Sequence, residues 1–315
     1  MDPARDMGAV ADLIEAAFAG DMDQAGCSML RDMRNMARLG GLLWWFDGPG
    51  AGVNQMLSGF VWVEDGQVVG NVTVTPTPHT PDRWIISNVA VAKTYRRRGI
   101  ARRLTSAAVD MIREWHGKAV TLQVRDDNPT ALHIYQTLGF HVLFGTAHMR
   151  LEPVTPVNPL PPRDTRLRRL SDADAEKAYE MACAATPQAA QTEQPVRLAH
   201  YQFGWERRLS DWFRTLTGKA PALRLVVERG AQLQATVITQ PTGRGSESSI
   251  ELTVHPNARG QLEKELISYA LYHLSHWSQH SVIARHPTYH VEGVEALTDF
   301  GFQTERTLLW MKCEL

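Results

Sequence analysis

The sequence predicts an α/β protein of two tandem domains, each a mixed, mostly antiparallel sheet flanked by helices. The first observation behind this reading is the stretch EPVTPVNPLPPRD, with five prolines between Pro153 and Pro162. Proline fixes φ and removes a backbone donor, which excludes helix and central strand there. Residues 153–163 therefore read as a linker between domains at 1–152 and 164–315, each near the commonest domain size. The second observation is repetition. One order of helix, hairpin, strand, helix and a second helix running into glycine occurs in both halves at a period of about 160 residues, the mark of a tandem duplication. The third is spacing: 40 residues separate Gly99 from Gly139, and 41 separate Gly260 from Gly301.

Each element has a local reason. MGAVADLIEAAFAG carries apolar residues at helical spacing and stops at Gly20. SGFVWVEDGQVVGNVTVTP places two strand-like runs around Asp65-Gly66, a hairpin signal. RWIISNVAVA reads as a buried strand. In IARRLTSAAVDMIREW the residues Ile100, Leu104, Ala107, Ala108, Met111, Ile112 and Trp115 form one apolar stripe, so it is an amphipathic helix. AVTLQV is a strand, NPTALHIYQTLGF a short helix ending at Gly139, and HVLFGTAHMRLE a strand. In the second half RLRRL reads as a strand and SDADAEKAYEMACAA as a helix capped by Ser171. LRLVVERGAQLQATVITQ is a hairpin and SSIELTV a strand. QLEKELISYALYHLSHW and VEGVEALTDFGF are helices.

Composition narrows the function. Of the 315 residues 43% are hydrophobic and 21% charged, the balance of a globular protein. A net charge of −1 supplies no global field for nucleic acid or an anionic membrane, so neither is expected as a partner. Cys27, Cys183 and Cys313 lie far apart with no C-x-x-C spacing. That argues against a disulfide framework or a thiolate zinc site and fits a reducing, cytoplasmic setting. The sequence shows neither a signal-peptide pattern nor a membrane-spanning run. His273, His276 and His280 share helical spacing without a carboxylate or thiolate to complete a zinc site, so no metal is expected. Trp205, Trp212 and Phe213 recur at core spacing.

The run NVAVAKTYRRRGIARRL departs from this ordinary pattern, with five arginines in eight residues around Gly99 and Ala101. Three readings fit the loop alone: a helix start with a solvated arginine face, a nucleic-acid arm, or a phosphate cradle. The third has a definite mechanism. The first turn of a helix presents unpaired N–H groups and the positive end of the macrodipole. Gly99 permits the turn, Ala101 lets a ligand approach the chain, and the arginines reach peripheral phosphates.

The order strand, R-x-x-G-x-A, helix, strand ending VRDDN, then helix ALHIYQTLGF resembles the GCN5-related N-acetyltransferase (GNAT) family. Arg96, Arg97, Arg98, Gly99, Ile100 and Ala101 fill the family's [Q/R]-x-x-G-x-[G/A] loop. Asn128, Tyr135 and Gly139-Phe140 match at the expected spacing. NVAV and LQVRDDNPTALHIYQTLGF look most like the subgroup that acetylates protein N-termini and ribosomal proteins. The resemblance implies a strand that splays from its parallel neighbour, with acetyl-CoA as co-substrate in the gap. Val89, Ala90 and Val91 would line the pantetheine, Val89 and Val91 through main chain. The amides of Arg97 to Arg102 would surround the pyrophosphate, and Asn128 would hold the pantetheine arm, or simply cap its helix. Tyr135 would be the general acid that protonates the departing thiolate. The implied reaction is acetyl transfer to a primary amine; the alternative is a non-catalytic acyl-CoA sensor or structural subunit. Where the ribosomal-protein subgroup commonly has a glutamate, this chain has Gln123, which cannot accept a proton. His79, Glu64 and Asp82 are the other candidate bases.

The second half has lost this equipment. From Val91 to Gly99 is eight residues, and from Val254 to Gly260 only six, which reads as a loop shortened by two. Leu262 then falls where a small residue is needed, Leu297 replaces Tyr135, and His290 replaces Asn128. The expectation is a degenerate copy that stabilises the first, shapes the acceptor cleft or forms an interface, a homodimer contact included.

Overall fold

The computed structural model describes residues 1–20, 24–39, 58–77, 80–152, 158–160, 166–202, 204, 222–240, 247–276 and 281–315. They form two compact units. One comprises Met1–Val124, Asn128–Val142 and Trp310–Leu315; the other comprises Arg125–Asp127 and Leu143–Leu309. The units are therefore not consecutive halves of the chain.

In the first unit, helices α1 (Pro3–Phe18) and α2 (Gln24–Leu39) pack through Met7, Val10, Ala11 and Ile14 against Leu30 and Met33. Strands β1 (Ser58–Glu64) and β2 (Gln67–Thr77) form the hairpin. Its turn residues Asp65 and Gly66 both have left-handed φ, 51° and 75°, as the twist of a two-residue hairpin requires. Strand β3 (Thr80–Val91) follows antiparallel to β2. Helix α3 (Ile100–Glu114) buries Ile100, Leu104, Ala108 and Ile112, the core of the expected stripe. Trp115 instead lies exposed and stacks on Trp84, with ring centroids 4.9 Å apart. Gly70 of β2 brings strand and helix together: a Cβ there would sit 3.0 Å from Ile100 and Leu104 side-chain atoms. Strand β4 (Ala119–Arg125) runs parallel to β3, and α4 (Pro129–Thr137) follows.

Strand β5 (His141–Leu151) falls mostly in the second unit, where it pairs antiparallel with β10 (Val282–Pro287). Beyond β10 the order there is β9 (Ser248–Val254), β8 (Gln232–Gln240), β7 (Arg224–Arg229) and β6 (Arg166–Arg169). All neighbours are antiparallel except β9 and β10. Ser171 and Asp174 form a capping box before α5 (Ala175–Ala185), and α6 (Gln188–Glu193) follows. Helix α7 (Glu263–Ser275) sends Leu266, Ile267, Ala270, Leu271 and Leu274 into a core shared with Val237, Leu252, Val254 and Ala284. Each such leucine contributes about 2 kcal/mol of transfer free energy. Helix α8 (Val291–Asp299) precedes β11 (Gln303–Glu314), whose last residues belong to the first unit. There Leu315 N donates to Lys118 O, and Cys313 Sγ lies 3.7 Å from Leu138 O beyond the end of α4.

Candidate functional site

Strand β3 carries the first half of the site. Its ladder with β2 pairs Ala90 with Asn71 and Ser87 with Thr73. Asn88 and Val89 thus stand against Val72 alone, which is a β-bulge. Asn88 has φ 53°, a conformation asparagine tolerates better than most residues. The fully buried Asn71 fixes the bulge: its Nδ2 donates to Asn88 O at 3.0 Å and to Thr73 Oγ1 at 3.3 Å. Sequence reasoning missed this trio. Its signal is two asparagines inside runs of strand formers.

Strands β3 and β4 are bonded only over Arg83–Ile85 and Ala119–Thr121, and past that point the pair opens. Ala92 N donates to Val69 O. By strand alternation Val89 and Val91 therefore turn their peptide groups away from β2, into the gap. The strand expected to be buried is accordingly half-exposed at Val89 and Val91, while Ala90 is buried. Arg96 Nε donates to Val91 O at 3.1 Å, across the end of β3.

The turn completes the arrangement. A single 3₁₀ turn at Lys93–Tyr95 leads to Arg97, φ 64°, and Gly99, φ 76°, which caps α3. Among the described residues the amides of Arg97, Arg98, Gly99, Ile100, Ala101 and Arg102 have no hydrogen-bond partner; the first satisfied one is Arg103 N on Gly99 O. Open space surrounds Gly99 where a Cβ would stand. Consecutive N–H groups at the positive end of a helix dipole form an anion site. Arg98 stacks on Tyr95 and lies 3.5 Å from Glu64.

Tyr135 and Asn128 lie on α4. Asn128 Oδ1 accepts from Ala131 N at 3.1 Å, so its oxygen is spent on the helix cap while Nδ2 stays exposed. Tyr135 is 7% exposed beside Phe140, and burial pushes its phenol up to about 12. The candidate bases fare differently. Gln123 is exposed on β4. Glu64 accepts from Trp62 Nε1. Lys118 bonds Asp82 and holds it below its ordinary value. His79 lies outside the described residues, as do His280, Trp205, Trp212 and Phe213. His276 Nδ1 bonds Tyr272 O.

The second unit repeats this architecture with a different occupant. Strands β9 and β10 also part after three pairs, Ser248–Ile250 against Val282–Ala284. A 3₁₀ turn at Pro256–Ala258 follows, then Arg259 and Gly260, φ 75°. Gly260 therefore corresponds to Arg97, six residues past the last strand valine in both cases, and not to Gly99. The turn is not shortened. Matching glycine with glycine misaligned it by two, because Arg97 adopts the left-handed conformation without being glycine. Leu262 stands at the place of Gly99 and His290 at that of Asn128, with nearly identical cap angles, φ −108° against −110°.

At this turn the carboxylate of Glu263, 2% exposed, accepts from Gly260 N at 3.0 Å and Leu262 N at 3.1 Å. His290 Nε2 lies 2.9 Å from it, and His290 Nδ1 is 3.0 Å from His286 Nε2. Burial pushes the Glu263 carboxyl up, but the bonds from His290 and the amides outweigh it and leave it below its ordinary value. Burial and then His290 hold His286 down at about 3, so it is neutral. The ladder of β8 with β9 runs without a bulge.

Residues 29–140 match the Acetyltransferase (GNAT) family. That stretch contains the bulge, the open turn and α4. Over 83 residues the chain is 32% identical to N-alpha-acetyltransferase 30 of Schizosaccharomyces pombe, covering 26% of this chain and 55% of that protein. The chain thus spans about half that relative's length. A GCN5-related N-acetyltransferase from Sphaerobacter thermophilus aligns over 100% of this chain and 94% of its own, with TM-score 0.65 and 16% identity. A tandem GNAT protein from the clavulanic acid biosynthesis pathway aligns over 99% and 96%, with TM-score 0.58 and 20% identity. At such identities the likeness is one of fold alone, and it extends over both units.

Proposed function

We propose that the first unit transfers the acetyl group of acetyl-CoA to a primary amine, and that the second unit does not bind CoA. The observation that carries the reading is the row of six unpartnered amides from Arg97 to Arg102 at the end of the gap between β3 and β4. The amides cradle the diphosphate, and Val89, Ala90 and Val91 line the pantetheine, with Arg96 steadying the end of the strand. The exposed Asn128 Nδ2 reaches the pantetheine arm. The amine nitrogen attacks the thioester carbon, a C–N bond forms, and the C–S bond breaks. The leaving thiolate takes the phenolic proton of Tyr135, which is restored from the proton the amine has lost. Burial makes Tyr135 a weaker acid, but it also makes a thiolate in the same site a stronger base.

The acceptor is best read as an α-amine. An α-amine near pKa ~7.7 is neutral in part at neutral pH, whereas lysine near ~10.4 needs a base. Gln123 supplies none, and Glu64 and Asp82 are committed to partners. The name of the fission-yeast relative agrees with this choice. In the second unit Glu263 stands where the diphosphate would lie, which makes that copy degenerate for CoA.

Release of free CoA thiol from acetyl-CoA, with peptides of free or blocked N-termini and lysine side chains as acceptors, tests the reading. Release with free N-termini alone is expected. Tight binding of acetyl-CoA without release under any acceptor would favour the sensor instead.

A further inference from the structure

The gap between β9 and β10 in the second unit is a cavity of about 430 Å³. That lies within the ~300–1,000 Å³ of small-molecule clefts. Its walls have a regular logic. Thr288 N donates to Gly145 O and His255 N to Gln234 O, so those residues face the outer neighbours. By alternation Arg285 of β10, and Leu252 and Val254 of β9, turn their peptide groups into the gap, whereas Pro287 lacks an N–H and its carbonyl accepts from His290 N at 3.2 Å. Arg285, Pro287, Leu252 and Val254 line the cavity. An extended ligand with amide groups can bond both edges as an added strand does.

One end of this cleft is closed to phosphate, because the amides of Gly260 and Leu262 already hold Glu263. Beside it stands Arg259. Its counterpart Arg96 uses Nε on Val91 O, but Arg259 spends its two Nη groups on Ala185 O at 2.8 Å and Tyr289 O at 3.3 Å. Its Nε is buried with no partner. Both partners are neutral carbonyls, so the charge is uncompensated by them and one donor is orphaned, a costly condition unless a ligand relieves it. The acidic lining residue Glu251 lies 3.0 Å from His200 Nε2.

We propose that this cleft binds a small carboxylic acid bearing a peptide amide, a dipeptide or N-acyl amino acid. The amide bonds the open edges of β9 and β10, and the carboxylate meets Arg259. The inference does not rest on acetyl transfer in the first unit.

Calorimetry on the full chain with N-acetylleucine and N-acetylleucinamide tests it. The acid is expected to bind with the amide weaker by about tenfold or more, CoA is expected not to compete, and Arg259→Met is expected to lose the same factor. Arg259→Lys, which keeps the charge and one reach to a carbonyl, guards against a variant that fails to fold; it should weaken the acid and leave the amide unchanged. In the wild-type chain, amide resonances of Leu252 and Val254 should shift on titration. Equal affinity for acid and amide, no binding by the acid up to about 10 mM, or shifts confined to residues outside the cleft would overturn the proposal. None of these readouts involves CoA release, so they apply equally to a chain without transferase activity.

Discussion

At the scale of single residues, Tyr135 and Glu263 carry the sharpest consequences. Burial raises the Tyr135 phenol to about 12, so it stays protonated through the range in which an α-amine loses its proton. The rate should therefore rise with pH as the acceptor amine deprotonates, then stay level to about pH 11. A basic limb that falls near pH 9 and vanishes in Tyr135→Phe would contradict this. The same variant should lower kcat about 100-fold, with KM for acetyl-CoA little changed, since in the proposed reaction the phenol acts on the leaving group and not on the diphosphate. Glu263 makes a complementary case. Removing its carboxylate in Glu263→Ala frees the amides of Gly260 and Leu262 and leaves His290 facing the vacancy. Titration with inorganic pyrophosphate should then show one more binding site than the wild type. Glu263→Gln, which keeps an acceptor oxygen at the turn, should not. Unchanged stoichiometry in a folded Glu263→Ala chain would remove the plug from the account.

At the scale of elements, packing sets the position of the turn. Gly70 lets α3 lie directly on β2, with no room for a side chain against Ile100 and Leu104. Gly70→Val should cost about 1–3 kcal/mol by overpacking, read as a lower denaturation midpoint. It should weaken acetyl-CoA more than a surface substitution of equal stability cost, because in the proposed function the displaced helix start is the cradle. This scale also separates what was legible in the sequence from what was not. The hairpin at Asp65-Gly66, the stripe of α3 and the cap at Ser171 were legible because each is decided by neighbours within a few residues. The bulge at Asn88 was not: its stabiliser Asn71 comes from the next strand, and only tertiary pairing brings them together. The correspondence of the two turns is hidden in the sequence for a related reason. Counting from glycine to glycine pairs Gly99 with Gly260, whereas the left-handed residue at the place of Gly260 is Arg97, held there by the fold. Strands β10 and β11 are defined by their neighbours and burial and not by a local motif, whereas α2, with Leu30, Met33 and Ala37 at helical spacing, was legible and went unread. The Glu263–His290–His286 chain was also unreadable, since its members lie 27 and 4 residues apart and meet only through the fold.

At the scale of the whole molecule, sequence repeat and compact unit do not coincide. The sequence repeat divides the chain at 1–152 and 164–315, a division we propose as its ancestry. The compact units assign Leu143–Leu151 to the company of β10 and Trp310–Leu315 to that of α4. Cutting the chain at the proline-rich segment would thus strip the first unit of its last six residues and leave most of β5 without its β10 partner. An unpaired strand with buried Phe144, Ala147, Met149 and Leu151 is an aggregation hazard. Met1–Glu152 expressed alone should be poorly soluble or lack a cooperative melting transition, and co-expression with 153–315 should restore both. A soluble, monomeric 1–152 fragment with a cooperative transition and full acetyl-CoA affinity would show instead that the first repeat builds its site from its own strands, and that the exchange of terminal strands is dispensable.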